Sequence, residues 1–245
     1  MNLLKVEKVT KSFGGLKAVH EVTFKVEKGE IVGLIGPNGA GKTTLVNLIS
    51  GFYKPDSGTI YFNGIDVTRL PPFKRARLGI SRTFQNPRLV LNMTALLNVA
   101  YAVLGREDAK KMSLYEAVAE AIYYLDLVGL LQRRDVLVKD MPLYELRLLE
   151  LARALALRPR LLIIDEAMAG LNPAEVEKIR KLILNVQDQL DLTILWIEHV
   201  LKLLAKTVNR VIVMHYGKII AEGAPKEIVE NPIVIEAYTG RKIAV

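Results

Sequence analysis

The chain opens with short runs in which apolar and polar residues trade places. Leu3 to Lys8, Val22 to Val26 and Ile31 to Ile35, set between turns rich in Gly and Lys, predict three strands. After Gly36 the apolar period becomes helical over Lys42 to Ser50, which Gly51 closes, and Thr59 to Phe62 reads as a strand before an Asn63-Gly64 turn. From about Met93 to Leu157 strand signals nearly vanish, and Ala95 to Leu104, Leu114 to Leu125 and Glu145 to Leu157 carry apolar residues at helical spacing. Strands return at Leu161 to Ile164, Thr193 to Ile197 and Val211 to Met214, with a helix over Ala174 to Gln189 between the first two. Tyr216-Gly217-Lys218 then turns the chain into Ile219 to Glu222, and short helices around Ile228 and Ile235 finish it. Alternating β and α elements imply a parallel, doubly wound sheet, and the helical stretch in the middle reads as an insertion.

Composition narrows the class. A chain of 245 residues, 51% hydrophobic and 24% charged, can bury a full core. No run approaches the roughly 18 apolar residues that span a bilayer, and the opening residues lack the features of a secretory signal. A soluble, cytoplasmic chain is expected. With no cysteine, neither a disulfide framework nor a thiolate metal site is available. The formal charge of +8 is spread among acidic neighbours. Its nearest approach to a cluster, Lys74, Arg75 and Arg77, reads as part of a solvated face, and no nucleic acid is expected as partner.

Two motifs carry chemistry. Gly36-Pro37-Asn38-Gly39-Ala40-Gly41-Lys42-Thr43 fits G-x-x-x-x-G-K-[ST] between an apolar strand and a helix, the context that identifies a Walker A phosphate loop. Its glycines turn backbone N–H groups inward around a β-phosphate and the helix N-terminus adds positive potential. Lys42 reaches the β and γ oxygens, and the Thr43 hydroxyl is placed for Mg²⁺. Asn38, Gly39, Ala40, Gly41, Lys42, Thr43 and Thr44 are therefore the candidate contacts to ATP. The second motif is the apolar strand Leu161 to Ile164 followed by Asp165 and Glu166. Alone, two such acids could end a strand or cap a helix; after a phosphate loop they read as Walker B, Asp165 for Mg²⁺ and Glu166 for water.

With these motifs the chain resembles the ABC ATPase family over nearly its whole length. The resemblance implies an α/β fold: a P-loop NTPase core with a mostly parallel sheet, an antiparallel β subdomain and an inserted helical subdomain. Residues 1–245 would form one ABC ATPase domain. Of these, 1–90 and 159–245 would make the nucleotide-binding core with its β subdomain and C-terminal helices, and 91–158 the helical subdomain. By the same resemblance Glu166 is the catalytic glutamate, and Gln85, in Arg82-Thr83-Phe84-Gln85, contacts Mg²⁺ and the attacking water. His199 is the histidine at the γ-phosphate, and Phe13 stacks on adenine unless it is simply a core aromatic on an edge strand. Gly79 to Asn86, Ala169-Gly170-Leu171-Asn172-Pro173 and the ending Ile233 to Gly240 are similar to the branched-chain amino acid importer group. That likeness implies a cytoplasmic motor on the inner face of the membrane, coupled to permease subunits near Gln85 to Leu89 and paired head to tail with a second ATPase.

One segment departs from the pattern. Where the family has a sequence such as L-S-G-G-Q, this chain has Met141-Pro142-Leu143-Tyr144-Glu145. The serine hydroxyl is missing, Pro142 removes an N–H, and Tyr144 at a glycine position obstructs close approach to phosphate. Ala167 also replaces the proline expected after the catalytic glutamate. A heterodimer with one competent site is therefore expected over a homodimer. The alternative is a nucleotide-binding regulatory or structural subunit with weak or no turnover because of this altered segment.

Overall fold

Alternation along β1 (Asn2–Phe13) and β2 (Leu16–Glu27) turns Leu4, Val6, Val22, Phe24 and Val26 into one buried face. The two strands form an antiparallel hairpin closed by Gly14 and Gly15. The computed structural model describes residues 2–199 and 204–240. Strand β4 (Ser57–Phe62) pairs with β1, and β5 (Ile65–Asp66) folds back on β4 through Asn63 and Gly64. Both turn residues have positive φ, 50° and 79°, the geometry of the two-residue turn that matches strand twist. The result is an antiparallel sheet in the order β2-β1-β4-β5.

The described residues divide into two compact units, one from Met1–Arg75 and Thr193–Val245, the other Ala76–Leu192. In the first, β3 (Ile31–Ile35) is buried at every position, as a central parallel strand must be. It lies parallel to β8 (Thr193–Ile197) on one side and to β9 (Arg210–His215) on the other. Strand β10 (Lys218–Gly223) returns antiparallel along β9. Helix α1 (Lys42–Ile49) follows β3, and two short helices introduced by proline, α7 (Pro225–Glu230) and α8 (Pro232–Thr239), close the described chain.

Helix α2 (Pro72–Leu78), which the apolar pattern did not announce, leads into the second unit. There β6 (Ile80–Arg82) pairs in parallel with β7 (Leu161–Asp165). Helix α3 (Ala95–Leu104) packs on α4 (Leu114–Leu127) and on α5 (Leu143–Ala156). Thr94 caps α3, Ser113 and Glu116 form a capping box on α4, and Asn172 and Glu175 do the same for α6 (Pro173–Leu190). Among the described residues no helix is long and apolar enough to cross a membrane.

Arg75 corrects the reading of its neighbourhood as a solvated face, since it is only 1% exposed. Its guanidinium donates to the carbonyls of Leu48 (2.6 Å), Ile49 (2.7 Å), Leu70 and Thr68 (both 2.9 Å). The last carbonyls of α1 have no partner within their own helix, and the planar fork of five N–H groups supplies one. Burial lowers the Arg75 pKa from 12.5 to about 10.

Candidate functional site

The phosphate loop lies in the first unit. Strand β3 delivers the chain to Gly36, and α1 begins at Lys42. Gly36 and Gly41 have φ of 154° and 101°, and a Cβ on either would stand 2.2 Å from a backbone oxygen, that of Met214 or of Ala18. The loop is thus seated tightly against β9 and β2, which only glycine permits. Asn38, Gly39 and Thr43 are exposed, Thr44 is half-exposed, and Ala40 is buried with its carbonyl accepting from Gly217 N at 3.0 Å. Gly41, the residue before α1, brings no side-chain acceptor to the first-turn N–H groups, so these donors suit an anion.

Lys42 is only 4% exposed and folds back over the loop. Its ammonium donates to Gly36 O at 2.7 Å and Pro37 O at 3.1 Å, and stands 3.2 Å from His199 Nδ1. The structure therefore brings together Lys42 and His199, the two γ-phosphate candidates of this unit. Phosphate oxygens, carrying negative charge, fit this cradle better than the carbonyl dipoles that Lys42 now engages. Phe13 sits at the tip of the β1–β2 hairpin, 45% exposed rather than in the core. Tyr53 meets it edge to face at 5.3 Å, and the Lys11 ammonium lies 5.5 Å from its ring centre.

The second unit holds the other candidates. Asp165 ends the buried strand β7 at 2% exposure, and its carboxylate accepts a charge-assisted bond of 2.6 Å from Arg82. Its backbone N–H donates to Thr83 Oγ1 at 3.2 Å. Glu166, 4% exposed, has φ of 50°, a left-handed conformation that costs a residue with a Cβ of order 1 kcal/mol or more. That turn breaks the strand immediately after Asp165. Gln85, which is exposed, donates from Nε2 to Glu166 Oε2 at 2.7 Å, leaving its own carbonyl oxygen as an acceptor. Thr43 Oγ1 in the first unit, and the Asp165 carboxylate and Gln85 amide oxygen in the second, are each hard oxygen donors of the type that suits Mg²⁺.

Sequence reasoning missed the groups that hold these residues in place. Arg82 and Thr83 adjoin Gln85 with no spacing that marks them, and Arg147 and Glu150 sit inside an ordinary helical pattern. A signal was present for the last two, since a charge on the buried face of an apolar helix needs a partner.

The divergent segment forms the start of α5, two residues earlier than its apolar pattern predicts. Pro142 precedes the helix in extended conformation and offers no side-chain cap. Leu143 is 39% exposed, Tyr144 is half-buried, and Glu145 pairs with Arg133 at 3.0 Å. Burial, with the Glu175 carboxylate adding to it, raises the Tyr144 pKa.

Comparison with known proteins identifies the family. Residues 19–169 match the family described as ABC transporter, and residues 218–244 match the one described as branched-chain amino acid ATP-binding cassette transporter. The high-affinity branched-chain amino acid transport ATP-binding protein BraF of Pseudomonas aeruginosa is 39% identical over 249 residues, covering 97% of this chain and 98% of that protein. The probable branched-chain amino acid transport ATP-binding protein LivG of Archaeoglobus fulgidus is 38% identical over 248 residues, covering 98% and 96%. Among solved structures, a nucleotide-free ATP-binding cassette from an ABC transporter superposes with a TM-score of 0.86 at 32% identity, over 98% of this chain and 100% of that one. The ADP conformation of an ATP-binding cassette of an ABC transporter gives the same TM-score, 0.86, identity, 32%, and coverage, 98% and 100%.

Proposed function

The chain belongs to the ABC transporter family of ATPases, and from that membership we propose that it is the motor subunit of an importer for branched-chain or other hydrophobic amino acids. ATP is the substrate, held by Asn38 to Thr44 on the phosphate loop with Phe13 against the adenine. Thr43, Asp165 and Gln85 would hold Mg²⁺, whose contribution when bound is to neutralise charge on the β and γ phosphates. Glu166, as base, takes a proton from the attacking water, whose oxygen bonds to the γ-phosphorus as the bond to the β–γ bridging oxygen breaks and ADP leaves. Lys42 and His199 stabilise the charge that spreads over the γ oxygens. The observation that carries this reading is the 2.7 Å bond from Gln85 to Glu166, which aims the proposed base with a group that can itself bond water.

A heterodimer follows from Met141 to Glu145. In a head-to-tail pair this chain would contribute an intact set of Walker residues to one site and a segment without serine or glycine to the other. The partner ATPase would then supply a working signature to the first site, and permease subunits would hold both motors at the inner face of the membrane. The relatives do not favour the alternative of a purely regulatory subunit.

Steady-state ATP hydrolysis by the full chain, alone and mixed with the partner ATPase, tests this reading, with Glu166→Gln as control. Turnover that appears in the mixture and disappears with Glu166→Gln supports it. Equal, Glu166-dependent turnover by the chain alone refutes the heterodimer, and nucleotide binding without turnover in either sample refutes the motor.

A further inference from the structure

Two buried charges on α5 take no direct part in the chemistry proposed above. Arg147 and Glu150 lie one turn apart, 6% and 2% exposed, on a face otherwise lined by leucine and alanine. Both side chains bond to backbone groups of two loops. The Glu150 carboxylate accepts from the N–H of Phe84 at 3.0 Å and of Arg88 at 3.3 Å. Arg147 donates to the Phe84 carbonyl at 3.0 Å and to the Ala169 carbonyl at 3.4 Å. Both backbone groups of Phe84 are therefore held by one helix, and the two amides on Glu150 flank Gln85 on either side. On the far side, Ala169 N–H returns to the Glu166 carbonyl at 3.2 Å. The Phe84 ring is covered by the guanidinium groups of Arg82 and Arg88, 4.8 and 4.4 Å from its centre.

Burying two charges costs several kcal/mol, and leucine at both positions would pack the helix at no such cost. What leucine would not supply is direction, since only an acceptor oxygen and a forked donor fix two loops to one helix by angle as well as distance. We propose that Arg147 and Glu150 are positioning residues, a clamp through which α5 sets the geometry of the Gln85–Glu166 pair. The proposal rests on the reading that this pair acts on the attacking water, and it adds a consequence. The clamp and the divergent segment share α5, so a displacement of the helix start carries the loop of Gln85 with it.

Amide hydrogen exchange on the full chain reads the clamp without any need for turnover. Glu150→Leu is expected to speed exchange at Phe84 and Arg88 about tenfold or more while the first turn of α1 is unchanged, because each amide loses its acceptor. Glu150→Gln keeps the shape and one acceptor oxygen, and exchange at Phe84 should stay within about threefold of wild type. In hydrolysis assays with the partner ATPase, Glu150→Leu should lower kcat about tenfold with KM for ATP within about twofold. In a Gln85→Ala background the same change should cost less than about twofold. Unchanged exchange at both amides, a rise in KM alone, or full additivity with Gln85→Ala would overturn the clamp. Should Glu150→Leu fail to fold, Arg147→Met carries the same cycle through the Phe84 and Ala169 carbonyls. A wild-type mixture without turnover would refute the proposed function instead, and the exchange result would still decide the clamp.

Discussion

Replacing Arg75 by methionine should destabilise the chain by about 3 kcal/mol. The carbonyls of Leu48 and Ile49 belong to fully buried residues; Ile49 O would lose its guanidinium donor and Leu48 O would keep a 3.3 Å bond from Gly51 N–H, a loss of roughly 2 kcal/mol each because the bonds removed are charge-assisted. Those of Thr68 and Leu70 lie nearer the surface, where water partly replaces the donor, at roughly 1 kcal/mol each. Against this total of about 6 kcal/mol stands the recovered cost of burying a guanidinium, about 3 kcal/mol from the fall in its pKa from 12.5 to about 10. Unfolding 245 residues carries an entropy of roughly 0.5 kcal/mol per kelvin, so Tm should fall by about 6 °C. Trp196, the one tryptophan of the chain, is buried in the same unit as Arg75, and its emission reports the transition. Arg77→Met, at a side chain 43% exposed, should move Tm by no more than about 1 °C. A Tm for Arg75→Met within about 2 °C of wild type would refute the reasoning, because the four carbonyls would then not depend on the guanidinium.

Three further outcomes are expected. Gly41→Ala sets a Cβ 2.2 Å from Ala18 O at a φ of 101°, so the loop must open. Affinity for a fluorescent ATP analogue should fall about tenfold or more; affinity within about twofold of wild type would count against the seating of the loop. The hydrogen bond from Arg106 holds the Glu120 carboxyl below its usual range, with Arg158 adding charge. Its contribution is present above the ordinary pKa of 4.5 and is lost as pH falls through the lower folded value. Helical circular dichroism during acid unfolding should therefore show Glu120→Gln less stable than wild type near neutrality, by roughly 1 kcal/mol, with the gap closing at low pH. Chelation of divalent ions should abolish turnover, added Mg²⁺ should restore it, and Thr43→Val should raise the Mg²⁺ concentration for half-maximal rate; an unshifted Mg²⁺ requirement in Thr43→Val would remove Thr43 from the metal's ligands.

Much of the site is written in local chemistry. A strand that is apolar at every position, followed by glycines at fixed offsets, Lys42 and a helix, specifies a phosphate loop because each part acts over a few residues. The same holds for the Asn63-Gly64 turn and for the helix starts at Ser113 and Asn172, where cap and backbone are neighbours in the chain. The pairing of Lys42 with His199, 157 positions apart, and of Gln85 with Glu166, 81 apart, was legible only as a family likeness, because periodicity carries no information about such distances.

The sequence by itself determined the main run of strands and helices, though not α2, β5 or β6, together with the loop proposed for phosphate and the residue types proposed for a metal, since these follow from spacing and side-chain chemistry. Only the tertiary structure decided which charges leave water. Arg75 stands between two exposed basic candidates and yet caps a buried helix end, while Arg147 and Glu150 sit in an ordinary helical pattern and fasten two loops. Their roles depend on carbonyl and amide groups brought in from distant parts of the chain. A buried charge is tolerated where those groups converge, and convergence exists only once the chain has folded.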